Sequence, residues 1–309
     1  MITRAPRHDE TNPQWRLVIL ITYNEIPAYY DWLSRYVQLA NWLAYRDRFA
    51  SFTMHKQLAV PQQSEAGRAR TAGLEHVNDR LLAAAQLPAQ PRVLDAGCGF
   101  GGTIFHWHRR IGGNYDGLTL SRVQLGVARR EARRRGIESD CRFHLQSYDA
   151  PVAGEYDAVV AIESLIHSRD LNTTIPNLAA SLRPGGLMVI LDDMAKGDID
   201  DEAPAEARAL RDHWGCAHYH TQQDYWQALS RAGLEVVHEE DLTPQVQPRD
   251  PALLARLGKR YDRLYKAIPL TSARTVLSAY IGGLALEWLY LKAHVCYRLV
   301  VARKGAGRE

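Results

Sequence analysis

Short apolar runs alternate with amphipathic stretches through the middle of this chain. The runs have the length of strands, and the stretches between them carry apolar residues at the spacing of a helix face. Helices are predicted at residues 103–110 and 123–135, between the first three runs. Strands that alternate with helices predict an α/β fold in which helices cover both faces of a parallel sheet. The predicted strands are residues 92–95, 114–120, 141–146, 156–162, 187–191, 234–238 and 295–301.

The N-terminal part of the chain is predicted to be a helical cap. Apolar residues recur there at helical spacing, first between Tyr29 and Ala44 and again up to Ala85. The segment 87–91 contains two prolines and therefore breaks the second helix. We accordingly divide the chain into a cap at residues 1–85 and a main domain at 86–309.

Two further segments belong to the main domain. An insertion at about residues 194–232 is rich in Asp, His and aromatic residues and is predicted to form a lid. A long helix with one apolar stripe is predicted at about 250–294. Its basic residues fall largely off that stripe, which favours a solvated helix face over an anion site. The stripe is Leu254, Leu257, Tyr261, Leu264 and Ile268, and the basic residues are Arg256, Lys259, Arg260 and Arg263.

Composition and charge narrow the class of protein without assigning a function. The chain has 309 residues, 46% of them hydrophobic and 24% charged, with a net charge of +3. These values are typical of a globular protein and argue against nucleic acid as a partner. The apolar run 17–21 is too short for a membrane span and makes a poor signal peptide. The cysteines form no C-x-x-C pair, so neither a zinc site nor a disulfide framework is indicated, and a cytoplasmic location is expected.

A glycine-rich turn follows the first predicted strand. Between Val93 and Gly102, three glycines fit the spacing G-x-G-x-x-G, which by itself would equally suit a dinucleotide. Asp95 argues against NAD, because a carboxylate there can hold an ammonium group but would repel a pyrophosphate. The second strand ends in Gly-Leu-Thr-Leu-Ser at 117–121, without the acidic ribose ligand expected of NAD enzymes. A Pro-Gly-Gly turn at 184–186 precedes the fifth strand.

These motifs, in this order from about residue 92 to residue 193, resemble the class I S-adenosylmethionine-dependent methyltransferases. The resemblance implies a Rossmann-like fold with a seven-stranded, mostly parallel sheet, and S-adenosylmethionine as the cofactor. It places the cofactor along the glycine turn, where a Cβ atom would collide with it. The residues implied to bind it there are Asp95, Gly97, Cys98, Gly99 and Gly101.

The second and third strands depart from the commonest pattern of that family. Thr119 stands where most members carry an acidic residue, in a context similar to cyclopropane fatty-acid synthases and to sterol and terpenoid C-methyltransferases. In that subgroup the Thr-x-Ser backbone and a glutamine hold the ribose. Adenine contacts are expected after the third strand, where Asp149 is the candidate for the family's acidic residue. The further residues implied to bind cofactor are Thr119, Leu120, Ser121, Gln124, Ser147, Tyr148 and Glu163.

The fourth predicted strand ends in Ile-Glu-Ser-Leu-Ile-His, at the sheet edge where ligands bind in such folds. The spacing of Glu163 and His167 is similar to that of the sterol, cyclopropane and prenyl methyltransferases. Methylation of an alkene leaves a carbocation that must lose a proton. Glu163 is therefore predicted to stabilise the cation and to act as general base, with cofactor binding or helix capping as the alternatives. His167 is the second catalytic candidate, in an orienting or substrate-contact role, with simple packing as its alternative.

The whole chain looks most like bacterial terpenoid C-methyltransferases that act on prenyl diphosphates such as geranyl or farnesyl diphosphate. Aromatic walls would stabilise positive charge, and cations, with Mg²⁺ as a bridge, would hold the diphosphate. No acidic Mg²⁺ motif stands out, so metal ligands stay unassigned. The predicted substrate-binding residues are Tyr30, Trp214, Tyr219, Trp226, His55 and Lys56, and further aromatic or cationic candidates are Tyr29, Trp32, Tyr225, Arg46, Arg48, His218 and His220.

Two other functions stay open at this stage. One is a methyltransferase for another lipid or small natural product, acting on carbon, oxygen or nitrogen. The other is a non-catalytic S-adenosylmethionine-binding protein, which the intact glycine turn, Asp95 and Glu163 disfavour. The sequence sets no oligomeric state, and a homo-oligomer is compatible with it.

Overall fold

The computed structural model describes residues 25–44, 56, 66–216 and 218–306, with backbone alone at 41–44 and 66–72. The apolar run 17–21 and three of the cationic candidates, Arg46, Arg48 and His55, lie outside these residues. No helix in the described part of the chain is long and apolar enough to cross a membrane.

The centre of the fold is a seven-stranded sheet in the order β3-β2-β1-β4-β5-β7-β6. Strands β1 to β5 pair in parallel, and β7 runs antiparallel between β5 and β6. The predicted Rossmann-like fold with a mostly parallel sheet is confirmed. The strands are β1 Arg92–Ala96, β2 Asn114–Thr119, β3 Cys141–Leu145, β4 Tyr156–Ile162, β5 Leu182–Ala195, β6 Leu234–Asp241 and β7 Val295–Lys304.

Helices cover both faces of this sheet. One buried cluster joins the sheet to α5 and α8, and the other joins it to α2, α3, α4, α7 and α10. Helix α1 packs against α4 and α10, so it lies over the end of the sheet that the glycine turn occupies. The helices are α1 Ile26–Ala44, α2 Ala66–Ala85, α3 Gly102–Ile111, α4 Arg122–Arg135, α5 Leu171–Ala180, α6 Ile199–Glu202, α7 Pro204–Trp214, α8 Gln222–Arg231, α9 Pro251–Ala267 and α10 Thr271–Leu291.

The prediction of a single long helix at about 250–294 is wrong, because the structure has two helices, α9 and α10, in that range. Pro269 disfavours helical geometry at the residue before it, and Ile268 is extended, with φ −86° and ψ 120°. The predicted stripe also shifts, since Leu254 and Tyr265 are the buried residues of α9 while Leu264 is 37% exposed.

The predicted insertion at about 194–232 contains two different kinds of structure. Helix α6 packs on α7, and α7 packs mainly on α10. Helix α8, however, packs on α5 and against β6, as part of the layer that covers the sheet. The Pro-Gly-Gly segment at 184–186 lies inside β5, which is irregular where it pairs with β4.

Candidate active site

A cavity of about 330 Å³ lies at the carboxyl ends of β1, β2 and β4. One side, here called the glycine-turn side, is formed by residues between Asp95 and Gln124. The other, here called the helical side, is formed by α1, Trp214 of α7, Ala279 of α10 and the segment after β4. Predicted residues that line the cavity are Asp95, Gly97, Cys98, Gly99, Thr119, Leu120, Ser121, Gln124, Tyr148, Glu163, His167, Tyr30 and Trp214.

The glycine turn ties β1 to its neighbours and leaves no room for a side chain at Gly97 or Gly101. The amides of Gly97 and Cys98 both donate to the carbonyl of Leu118, at 3.1 and 2.8 Å. Gly97 has φ +101°, and a Cβ there would lie 2.5 Å from the Cβ of Ser164. Gly101 is also required by packing, but against Phe143 rather than the cavity, where Gly102 takes its place.

Asp95 places a buried carboxyl group beside this turn. The residue is 4% exposed, and burial raises the pKa of its carboxyl to about 7. Among the described residues it has no hydrogen-bond or ion-pair partner, although a buried carboxylate ordinarily needs one. An ammonium group beside Asp95 would favour the ionised form. The amino group of S-adenosylmethionine therefore fits the chemistry of this position.

The end of β2 holds the predicted ribose residues in a compact network. Thr119 donates to the side-chain oxygen of Gln124 at 2.6 Å, and the Ser121 side chain caps α4 by accepting from the Gln124 amide. Asp31 of α1 accepts hydrogen bonds from the Ser121 hydroxyl at 2.5 Å and the Val123 amide at 3.1 Å. A carboxylate thus reaches the end of β2 from another element, which the sequence pattern around Thr119 gives no signal for.

Only one of the residues predicted after β3 lines the cavity. Tyr148 lines it and donates to the carbonyl of Ser164 at 2.6 Å. The Ser147 hydroxyl instead accepts from the amide of Asp149. Asp149 accepts from Thr174 of α5 at 2.6 Å and so is held away from the cavity lining.

Glu163 directly follows β4 in a strained, left-handed conformation with φ 47°. Its amide donates to the carbonyl of Leu191 at 2.8 Å, which links it to β5. Its Oε1 atom accepts from the Tyr297 hydroxyl at 2.7 Å and from the Lys56 amide at 2.9 Å, and lies 3.3 Å from the Lys56 ammonium. These contacts stabilise the ionised form of the carboxylate.

Two consecutive carboxyl groups near the end of β5 complete this network. The Lys56 ammonium is 2.5 Å from Asp193, which also accepts from the Tyr290 hydroxyl. Burial, reinforced by the charges of Asp193 and Glu163, raises the pKa of Asp192 to about 8. Burial opposes the charge on Lys56, but Asp193 and Glu163 outweigh it and its pKa is raised. Glu163 and Asp192, which line the cavity, and Asp193 behind them therefore form an acidic network around a single ammonium group within the described residues.

Most residues of this acidic network were not identified from the sequence. The pair Asp192 and Asp193 ends an apolar run, a position where ligands bind in parallel sheets, and could have been selected on that signal. Tyr290 and Tyr297 could not, because they lie in α10 and β7 and no local motif marks them.

His167 ends a single 3-10 turn, Leu165–His167, and faces α1. Its Nε2 atom lies 2.7 Å from the Tyr30 hydroxyl, and the two rings meet edge to face. Burial lowers the pKa of His167 to about 4, so the ring is neutral. Its Nδ1 atom has no hydrogen-bond partner within the described part of the chain.

The aromatic candidates of the insertion separate into two groups. Trp214 lines the cavity, and its indole N–H donates to the carbonyl of Ala279 at 3.1 Å. Tyr219 is buried in the core instead, and Trp226 packs on the opposite face of the sheet with α8. Their aromatic character reflects core packing, which the polar surroundings in the sequence concealed. Among the described substrate candidates, Lys56 reaches the cavity through Glu163.

Comparison with known proteins agrees with this geometry. Residues 68–239, more than half of the chain, match the family model described as a methyltransferase domain. Methyltransferase GfsG of Streptomyces halstedii is 32% identical over 182 residues, 58% of this chain and 66% of that protein. The chain therefore spans just under two thirds of that relative's length.

Two solved structures share the fold. The [4+2]-cyclase SpnF superposes with a TM-score of 0.70 at 18% identity, covering 93% of this chain and 97% of its own. A geranyl diphosphate methyltransferase bound to geranyl diphosphate and sinefungin gives 0.69 at 21% identity, covering 91% and 99%. At these identities the likeness concerns the fold. The family match, together with the glycine turn and its buried carboxyl group, places this chain among the class I S-adenosylmethionine-dependent methyltransferases.

Proposed function

We propose that this enzyme methylates a carbon atom of an isoprenoid alkene, and that a prenyl diphosphate such as geranyl or farnesyl diphosphate is the first acceptor class to test. The observation that carries the proposal is the carboxylate of Glu163 at the cavity wall, which accepts hydrogen bonds from the Lys56 amide and the Tyr297 hydroxyl and lies 3.3 Å from the Lys56 ammonium. A fixed negative charge at this place stabilises a carbocation that forms only as the methyl group is transferred.

The weak basicity of His167 and the ion pairing of Glu163 support a carbocation over a hydroxyl acceptor. Glu163 is paired with an ammonium group, and the pKa of His167 lies near 4. A proton next to a carbocation is strongly acidic, so a weak base removes it readily. An alcohol holds its proton far more tightly and calls for a base with a pKa near the operating pH. Glu163 and His167 therefore suit alkene methylation, whereas Asp192, which also lines the cavity and whose pKa burial raises to about 8, meets the requirement of a hydroxyl acceptor.

The cofactor supplies an electrophilic methyl group on a positively charged sulfur when it is bound. In the proposed arrangement Asp95 binds its ammonium group, and Thr119 and Gln124 contact the ribose. Tyr148 lies where the adenine is expected. Tyr29, Tyr30 and Trp214 form aromatic walls that exclude water from the acceptor and place π faces around the developing charge.

A diphosphate head group requires cations from outside the described cavity lining. The cavity lining contains no arginine or lysine among the described residues, and Lys56 is already paired with carboxylates. A diphosphate would need further cations, for which Arg46, Arg48, His55 or Mg²⁺ are the candidates. The structural relative that binds geranyl diphosphate supports testing this head group first.

The test is a single-turnover assay of Glu163→Gln with labelled S-adenosylmethionine and a panel of isoprenoids, free and as diphosphates. We expect methyl transfer to fall by at least about 10²-fold at unchanged cofactor affinity, with an altered double-bond position in residual product. Glu138→Gln, at an exposed position on the surface, is the matched control. Near-normal turnover of Glu163→Gln would exclude its role as the base.

A second candidate is methylation of a hydroxyl group, which one observation favours. His167 lines the cavity, and in the tautomer whose Nε2–H donates to Tyr30 its buried, unpartnered Nδ1 carries the lone pair. An oxygen-methylating enzyme would release a methyl ether and lose activity mainly in His167→Asn. A carbon-methylated product with the larger loss in Glu163→Gln would exclude it.

A further inference from the structure

The segment between α7 and α8 brings together two imidazoles and a carboxylate that the reaction does not use. His218, His220 and Asp224 each offer one ligand atom, and these atoms lie within 4.8 Å of one another. The Nε2 atom of His218 is 3.6 Å from an Asp224 oxygen. Ligands about 2.0–2.1 Å from a tetrahedral Zn²⁺ are roughly 3.3 Å apart, so this edge is close to the required length.

His220 is already oriented as metal-binding histidines are. Its Nε2 atom lies 3.0 Å from the carbonyl oxygen of Ser168, and because a carbonyl can only accept, Nε2 carries the hydrogen. The neutral ring then has its lone pair on Nδ1. A backbone carbonyl that fixes the tautomer in this way is the usual second partner of a histidine bound to a metal.

Asp224 is held just as firmly on the other side of the cluster. It completes a capping box at the start of α8, in which Thr221 donates to Asp224 through both its amide and its hydroxyl. These bonds orient the carboxylate and still leave it lone pairs for a metal. His218 is about half exposed, which gives an ion a path to the cluster from solvent. Asp224 is thus held in place and His220 has a fixed tautomer, while the more exposed His218 is the third ligand.

We propose that His218, His220 and Asp224 bind a divalent transition metal of the Zn²⁺ class, with water completing the coordination. Two imidazole nitrogens and one carboxylate favour such an ion over Mg²⁺, which prefers an all-oxygen environment. This site is separate from any metal that a diphosphate would bring. It does not depend on the identity of the acceptor.

The bound ion would fix α7 and the segment that follows it to the catalytic end of the sheet. The His220 ring contacts the carbonyl of Ser168, the residue after His167. The backbone carbonyl of His220 accepts from the amide of Ala195 at the end of β5. Trp214, which forms a wall of the cavity, precedes His218 by four residues. Coordination of His218 therefore ties the segment that follows Trp214 to the strands that carry Glu163 and Asp193.

The experiment titrates the purified full chain with Co²⁺, whose visible absorption reports four-coordinate nitrogen and oxygen ligation, and then displaces it with Zn²⁺. We expect one Co²⁺ per chain with Kd below about 10 μM, and no displacement by millimolar Mg²⁺. His218→Ala should weaken binding by at least about 10²-fold and remove the metal-dependent rise in Tm. His218 is exposed, so this variant tests the ligand without disturbing the core.

His238→Ala is the matched control, because His238 is exposed on β6 and outside the cluster, and it should bind Co²⁺ like the parent chain. His220→Asn, checked for folding by circular dichroism, provides a second ligand variant with the same expected loss. Binding that is weaker than about 100 μM, or that survives unchanged in His218→Ala, would overturn the proposal. Loss of activity in the Glu163 test leaves this outcome unaffected, so the two proposals fail independently.

Discussion

The two sides of the cavity are assembled in different ways. On the glycine-turn side, contacts such as that between Thr119 and Gln124 join residues only five positions apart in the sequence. On the helical side, Glu163 accepts hydrogen bonds from Lys56 and Tyr297, which lie 107 and 134 positions away in the sequence. A local motif therefore fixes the first side, whereas the packing of α1, β7 and α10 fixes the second. Single substitutions should weaken cofactor binding on one side and alter acceptor binding on the other.

The largest effect is expected on the glycine-turn side. Asp95→Ala removes the carboxylate proposed to hold the cofactor's ammonium group, and Gly99→Val puts a branched side chain in the cavity at φ +54°. Each should weaken S-adenosylmethionine binding by about 10- to 10²-fold in calorimetry, since a charge-assisted hydrogen bond contributes about 1.5–3 kcal/mol. Gly126→Ala is the control, because a Cβ there meets no atom within 4 Å. Normal binding by both variants would remove these residues from the cofactor site.

On the same side of the cavity, the affinity for S-adenosylmethionine should change with pH by about tenfold. Burial raises the pKa of Asp95 from 3.8 to about 7, so between these values the folded state binds a proton that the unfolded state does not. Without cofactor, the stabilising contribution of the protonated form is full below about 3.8 and is lost as the pH rises through 7.

Cofactor binding needs the ionised form, so affinity should rise about tenfold from pH 5.5 to pH 7 and then level off. Calorimetry in buffers of different ionisation enthalpy should detect the released proton. The rise should be absent in Asp95→Asn. A flat profile in the parent chain would show that Asp95 is ionised before the cofactor binds.

On the helical side the expected effect is smaller and falls on the acceptor. A Cβ at Gly282 would lie 2.2 Å from the Trp214 indole nitrogen, so Gly282→Ala must displace that ring. Trp214→Ala removes it. We expect Trp214→Ala to shift preference toward a longer isoprenoid, and both variants to change acceptor KM by about fivefold at unchanged cofactor affinity.

Gly258→Ala on α9, where a Cβ meets nothing within 4 Å, is the control for the helix substitution. Competition between two isoprenoid chain lengths, followed by product mass spectrometry, measures the preference. Unchanged chain-length preference in Trp214→Ala would show that the indole does not limit the acceptor end of the cavity.

The smallest effect is expected where the two sides meet. Asp31 of α1 accepts from Ser121 and from the Val123 amide at the start of α4. Asp31→Asn removes the charge that favours a helix N-terminus and should lower the free energy of unfolding by about 0.5–1 kcal/mol. Cofactor affinity should fall about threefold or less. Urea denaturation and calorimetry measure the two quantities, and a cofactor loss above tenfold would make Asp31 a direct ligand.

Much of the glycine-turn side could be predicted because its signals are local. A strand, a run of glycines and a capping serine each depend on neighbouring residues, so Asp95, Gly97, Thr119 and Gln124 were identified and do line the cavity. Gly101 is the exception, since its space is taken by Phe143 from β3. Assigning that glycine to packing rather than to the cofactor requires knowing which strand lies beside it.

The insertion shows why aromatic residues in a polar segment are poor guides. Trp214, Tyr219 and Trp226 look alike in the sequence, yet only Trp214 of these faces the cavity. The packing of α7, α8 and the segment between them decides the difference. Likewise, the break between α9 and α10 follows from Pro269, a local signal that the apolar periodicity on both sides obscured.

By itself, the sequence determined the strand and helix alternation, the glycine turn and the carboxyl group placed to meet an ammonium ion, because these depend on backbone geometry within a few residues. The tertiary structure alone decided that Glu163 stays paired with Lys56 and Tyr297, that Asp192 and Asp193 interact with Glu163, and that His167 is buried neutral. Those properties arise from charge and desolvation among groups far apart in the chain, and such energies depend on distances that no local pattern encodes.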